Sequence, residues 1–228
     1  MMDNEKMEMD FEKKIEKSKQ VIREAVERYG KDRIAVTWTG GKDSTTVLGL
    51  IRETFNGEVP IPVVFVDTTV KFKETYEFIN RIKNEWNLNL VIARNDDALK
   101  RIQIAEDRET CCHLLKTEAL NMAIKNNGWR AIIGGIRWDE QEARSNEKYF
   151  SPRKNHTRVH PILHFTEEDI WRYIRSRNLP HHPLYDKGYR SIGCEPCTKP
   201  SIKGGTERSG RAQDKEEIMR RLRDMGYF

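Results

Sequence analysis

One stretch of this 228-residue chain constrains its fold more than any other. The apolar run Ile34-Ala35-Val36-Thr37-Trp38 passes directly into Thr39-Gly40-Gly41-Lys42-Asp43-Ser44. Residues 33–38 read as a short buried strand, and 44–54 as a helix packed through Val47, Leu48 and Ile51. A strand, a glycine loop carrying a lysine, and then a helix make a phosphate-binding arrangement. The glycines let backbone amides approach anionic oxygens. The helix N-terminus adds about half a positive charge, and Lys42 and the Ser44 hydroxyl add donors. The spacing is not that of the Walker loop, which puts four residues between its first Gly and the Gly-Lys pair. Thr39, Gly40, Gly41, Lys42, Asp43 and Ser44 are therefore candidates for holding an adenine nucleotide. An ordinary strand-to-helix turn is the plain alternative.

Strand and helix patterns alternate along the rest of the chain. Residues 1–29 read as an amphipathic helix stopped by Gly30, 62–67 and 89–93 as strands, and 73–86 as a helix. A helix over 112–126, a strand over 130–134 and a helix capped by Thr166 and running to about Arg177 follow. Residues 137–158 and 186–211 read as long loops. The pattern predicts an α/β fold: an open, mainly parallel sheet flanked by helices on both faces. An N-terminal helix (1–30) would precede a single nucleotide-binding domain (31–228). Ligands of such sheets bind at the carboxyl ends of the strands. Asp67, closing the second strand, is thus a further candidate, with a helix cap as its alternative.

Charged residues make up 34% of the chain, and Lys plus Arg outnumber Asp plus Glu by 41 to 36. That excess suits a polyanionic small molecule better than nucleic acid, a tRNA substrate excepted. No apolar stretch approaches the roughly 20 residues of a membrane span, and residues 1–20 lack the apolar core of a signal peptide. A cytoplasmic location is expected, without membrane attachment.

The four cysteines fall into two pairs, Cys111-Cys112 and Cys194-x-x-Cys197, with 81 residues between Cys112 and Cys194. Four thiolates in two pairs can wrap a [4Fe–4S] cluster or a zinc ion. Adjacent cysteines are unusual for structural zinc, and disulfides are disfavoured in a reducing cytoplasm. Unligated buried thiols are the alternative.

The loop resembles the Ser-Gly-Gly-Lys-Asp-Ser signature of the PP-loop superfamily, with the adenine nucleotide alpha hydrolase-like fold. The cysteine pattern resembles the phosphoadenosine phosphosulfate and adenylyl-sulfate reductase family. Further matches are Val66-Asp67-Thr68, Gly135-Ile136-Arg137-Trp138-Asp139-Glu140, His160-Pro161-Ile162 and Pro183-Leu184-Tyr185-Asp186-Lys187-Gly188-Tyr189. The resemblance implies an oxidoreductase of sulfur assimilation acting on adenylyl sulfate or 3′-phosphoadenylyl sulfate. It would carry a [4Fe–4S] cluster on Cys111, Cys112, Cys194 and Cys197. Lys116 would lie between cluster and substrate, and Arg137 would contact nucleotide or sulfate. Thioredoxin or another electron donor, and further copies of the chain, are the implied partners. The family's C-terminal nucleophilic cysteine has no counterpart, since the sequence holds four cysteines in all. The run Thr206-Glu207-Arg208-Ser209-Gly210-Arg211 instead resembles the small subunit of sulfate adenylyltransferase, which uses ATP. Adenylyl transfer, with Arg137, Arg208 and Arg211 stabilising the moving charge, is the rival activity. A non-enzymatic nucleotide or redox sensor is a third.

Overall fold

A computed structural model describes residues 10–226. Helix α1 (Phe11–Tyr29) buries Phe11, Ile15, Val21, Ile22 and Ala25, spaced to fall on one face, and ends where Gly30 takes a positive φ. Strands β1 (Ile34–Thr37), β2 (Val63–Val66), β3 (Leu90–Ala93) and β4 (Ala131–Ile133) follow the expected apolar runs. Helices α2 (Lys42–Thr54) and α3 (Lys73–Glu85) stand where helical spacing placed them.

Two expectations need correction. The helix expected over 112–126 begins at Arg108: α4 (Asp96–Leu99) and α5 (Arg108–Cys112) precede a π-helical stretch, His113–Glu118, and α6 (Ala119–Asn127) completes it. Residues 137–158 are not only a loop, because they hold β5 (Phe150–Pro152) and part of β6 (Thr157–Val159). Each has three residues, too few for alternation to register, and β5 includes Pro152, which an edge strand tolerates. Helix α7 (Glu167–Ser176) starts at a capping box. Thr166 accepts from the Asp169 amide while the Asp169 carboxylate accepts from the Thr166 amide. Helices α8 (Gln213–Glu217) and α9 (Met219–Asp224) close the order.

The strands form a six-stranded sheet ordered β3-β2-β1-β4-β6-β5. The β2–β3, β1–β4 and β4–β6 pairs are parallel, and edge strand β5 alone is shown antiparallel to its neighbour. With its flanking helices, this is the expected α/β architecture. The contacts divide the chain into two compact units. The first takes the described part of Met1–Thr37, with Lys42–Pro62 and Trp129–Pro180. The second takes Trp38–Gly41, Val63–Gly128 and the described part of His181–Phe228. Among the described residues no helix is long and apolar enough to cross a membrane.

In the first unit α1 is pinned by polar as well as apolar contacts. Lys14 Nζ donates to Asp169 Oδ2 at 2.6 Å, and Ser18 Oγ to the Pro161 carbonyl at 2.8 Å. His164 Nε2 lies 2.9 Å from the Lys14 carbonyl, and its Nδ1 lies 3.0 Å from the Tyr149 hydroxyl. A carbonyl only accepts, so Nε2 carries the proton and Nδ1 accepts from Tyr149. The imidazole is therefore neutral, and burial pushes it down to about 4. Burial likewise pushes His160 down to about 3.

The unfolded chain takes up these protons below about pH 6.5, and the folded chain does not until near pH 4. Stability is thus complete above pH 6.5 and falls as the pH drops toward 4. Urea unfolding followed by fluorescence should give one midpoint at pH 7 and 8, and a steadily lower one from 6.5 to 5. A midpoint that does not move over that window would refute the burial of neutral imidazoles.

Candidate nucleotide loop and cysteine cavity

The glycine loop begins in the second unit. Gly40 has φ +77°, a conformation side chains resist, and a Cβ there would meet Phe78 and His182. The Gly41 amide donates to Thr39 Oγ1 at 3.4 Å. Asp67, just past β2, accepts from the Thr69 amide and the Tyr76 hydroxyl, both at 2.8 Å. Burial, and then the Asp67 carboxylate, push the Tyr76 phenol up to about 12, so it stays protonated as a donor. Asp67 therefore organises the turn leaving β2 and caps no helix, since α3 begins at Lys73 with Phe72 as its N-cap.

The rest of the loop belongs to the first unit, where it opens α2. Lys42 and Ser44 are buried. Lys42 Nζ lies 3.0 Å from Asp43 Oδ2, and Arg137 Nε donates to Asp43 Oδ1 at 2.7 Å. Arg137, fully buried, also places Nη1 2.7 and 2.9 Å from the two Asp139 oxygens. Burial alone would raise the Asp43 carboxyl, but Lys42 and Arg137 outweigh it and hold the group well below the usual carboxylate range. Arg137 thus anchors Asp43 and, through it, the start of α2. The pairing with Asp139 is the alternative foreseen for it.

The four cysteines are free thiols, and they line one cavity within the second unit. Cys112, Cys194 and Cys197 are buried, and Cys111 is half-buried. Burial, first of all, raises the Cys111 thiol. The Cys-x-x-Cys loop is held to the chain leaving β2 by a bridge between Lys71 and Cys194 and by the Glu195 amide on the Val70 carbonyl at 2.8 Å. The Thr198 hydroxyl donates to the Cys194 carbonyl at 2.9 Å. From the other side comes α5, whose N-terminus is capped by the Asp107 carboxylate.

Three polar side chains join the sulfurs there. Lys116, four residues after Cys112 in the π-helical stretch, donates to Cys112 Sγ at 3.6 Å. Thr68 Oγ1 lies 3.2 Å from Cys194 Sγ. Arg108 lines the same cavity, and its Nη1 donates to Asp214. Val70, Ile104, Ala105 and Pro196 make up the apolar wall. Thiols answered by two cations and a hydroxyl form a donor set for a thiolate-bound group carrying negative charge. Among the described residues no group of three His, Cys, Asp or Glu side chains is arranged to hold a single metal ion.

Sequence motifs reached neither Thr68 as a partner of Cys194 nor Arg108 as a wall of the cavity. The tail arginines are engaged inside the second unit. Arg208 makes a two-pronged contact with Glu216 at 2.7 and 2.8 Å, and Arg211 Nη1 donates to Ser191 Oγ at 3.2 Å.

Replacing Arg137 by Ala would leave the Asp43 carboxylate with one fewer cation in a buried setting. Breaking a buried pair costs about 3 kcal/mol, which for a chain of this size lowers the melting temperature by roughly 6–12 °C. A drop under about 2 °C in a calorimetric scan would show that Arg137 is not the anchor.

Residues 33–200 match the phosphoadenosine phosphosulfate reductase domain. The chain is 34% identical over 204 residues to adenosine 5′-phosphosulfate reductase of Lysinibacillus sphaericus, covering 85% of each. It is also 34% identical over 202 residues to adenosine 5′-phosphosulfate reductase 1 of Bacillus subtilis, covering 84% of each. The solved structure of phosphoadenylyl-sulfate reductase from Candida auris, a phosphate complex, superposes with a TM-score of 0.67 at 21% identity, over 80% of this chain and 90% of that one. Candida glabrata FMN adenylyltransferase with FMN and an ATP analog shares the fold at TM-score 0.68 and 23% identity, over 85% and 66%. The chain belongs to the phosphoadenosine phosphosulfate reductase family of enzymes.

Proposed function

We propose that this chain is a sulfonucleotide reductase of the iron–sulfur kind, acting in the cytoplasm on adenylyl sulfate or its 3′-phosphate. The observation that carries this is the cavity: four thiols from segments 81 residues apart line it, with Lys116 on one of the sulfurs. Cys111, Cys112, Cys194 and Cys197 would hold a [4Fe–4S] cluster, with zinc as the rival occupant. When bound, the cluster supplies a fixed, thiolate-ligated negative centre that holds Lys116 in place.

The loop from Thr39 to Ser44 would take the nucleotide phosphate on its backbone amides, and Asp43, locked by Lys42 and Arg137, would keep those amides aimed. Lys116 would offset the charge of the sulfo group. The four thiols being ligands, the attacking thiolate comes from outside these 228 residues, from thioredoxin or a small thiol. That thiolate attacks the sulfo sulfur, the bond from sulfur to the bridging phosphate oxygen breaks, and adenosine monophosphate leaves, or adenosine 3′,5′-bisphosphate where the substrate carries the 3′-phosphate. A second thiolate then attacks the sulfur of the first thiol. A disulfide forms and sulfite departs, so two thiols are oxidised as sulfur is reduced by two electrons.

Anaerobic protein loaded with iron and sulfide should release sulfite from adenylyl sulfate when thioredoxin or a thiol is supplied. Lys116→Ala should lower kcat/KM by about 100-fold, the loss seen when one charge-stabilising donor is removed. Loaded protein that yields no sulfite from either sulfonucleotide would overturn the proposal.

A second reading, adenylyl transfer from ATP to sulfate or a tRNA base, is favoured by the tail run Thr206-Glu207-Arg208-Ser209-Gly210-Arg211 with its resemblance to the sulfate adenylyltransferase small subunit. It requires sulfate- or tRNA-dependent pyrophosphate release, which the reductase reading predicts to be absent.

A further inference from the structure

Strand β4 leaves the sheet through Gly134-Gly135-Ile136-Arg137, and its two glycines meet different surroundings. A Cβ added at Gly134 would stand 3.7 Å from His160 Nδ1 and from Thr37 Oγ1, ordinary contact. A Cβ added at Gly135 would stand 3.0 Å from three atoms at once: the carbonyl carbon and oxygen of Asp43 and the amide nitrogen of Ser44. These form one peptide group in the first turn of α2, and a peptide cannot swing aside as a side chain can. Gly135 does not have a positive φ, so closeness and not backbone conformation calls for glycine there.

The strand exit is held at both ends. The Gly134 amide donates to the Val159 carbonyl at 2.8 Å, and the Trp138 amide to the Leu163 carbonyl at 2.9 Å. Between them, Arg137 Nε donates to Asp43 Oδ1 at 2.7 Å. The ion pair draws Asp43 toward this segment, and the bare backbone of Gly135 sets how near the peptide comes. A methyl group at 135 would push that peptide by a few tenths of an ångström. With the strand exit fixed, the shift falls on the loop.

We infer that Gly135 is a positioning residue which, with Arg137, sets where the Ser44 amide stands for a nucleotide phosphate. This rests on the nucleotide-loop reading above. Amide hydrogen bonds weaken with small errors of distance and angle, so the loss on substitution should follow the phosphate and not the nucleoside.

The test is calorimetric titration of the anaerobically purified full chain with adenosine monophosphate and with adenosine, alongside thermal melts. Gly135→Ala should bind the monophosphate about tenfold more weakly, and adenosine within about twofold of the parent. Gly134→Ala should keep both affinities within about twofold. Arg137→Lys, which loosens the other half of the clamp without adding bulk at 135, should show the same split between the two ligands. Gly49→Ala controls for lost stability, because a Cβ there would stand 2.6 Å from Leu179 Cδ1 and 3.2 Å from Tyr173 Cε1, further along α2. It should melt several degrees lower with both affinities kept. If Gly135→Ala or Arg137→Lys keeps the parent's affinity for the monophosphate, or loses both ligands by the same factor, the positioning role alone is overturned. A parent protein that binds the monophosphate no more tightly than adenosine brings down the loop reading, and the positioning role with it.

Discussion

Four sulfur atoms from two distant pairs must reach one cavity, and the second compact unit is organised around that requirement. The chain leaving β2 supplies Thr68 and the edge on which the Cys194 loop is bridged. Helix α5, started by its Asp107 cap, brings the adjacent pair from the other side. Neighbouring cysteines on a helix point about 100° apart, so a single ion would use them awkwardly. Lys116, in the π-helical stretch that follows, lies against Cys112. Such stretches recur at functional sites because they redirect one side chain without ending the helix.

Charge sets the other half of the account. Asp43 lies where burial would neutralise it, and it stays ionised because Lys42 and Arg137 flank it. Arg137 in turn is answered by Asp139. Lys42, Asp43, Arg137 and Asp139 carry two charges of each sign, so the side chains around the loop largely cancel. On the proposed reading, phosphate attraction then falls to the amide dipoles opening α2, and Lys42 acts mainly through Asp43. The long axis of the site's chemistry is therefore backbone, which explains why a short glycine motif can carry it.

Much of the fold was legible because apolar residues repeat at 3.6 along α1, α2 and α3 and run unbroken through β1, β2 and β4. The cysteine pairs were legible by spacing and Lys116 through the family resemblance, and all five line one cavity. Strands β5 and β6 were not, being three residues each. Arg108 was hidden by starting the helix at Cys112. The cap signal was present at Asp107, whose carboxylate accepts from Glu109 and Thr110, and a helix begun there puts Arg108 and Cys112 one turn apart. Thr68 had no such signal, because its nearness to Cys194 comes from chain segments 126 residues apart. The engagement of Arg208 and Arg211 with Glu216 and Ser191 likewise depends on tertiary placement.

The central claim is that the thiol-lined cavity holds an iron–sulfur cluster, and the most direct measurement is the metal and acid-labile sulfide content of anaerobically purified protein, read with its visible absorption. The account predicts iron and sulfide in equal amounts, about four of each per chain, with a broad band that bleaches when the cluster is lost. Zinc without sulfide, in a colourless protein, would contradict it.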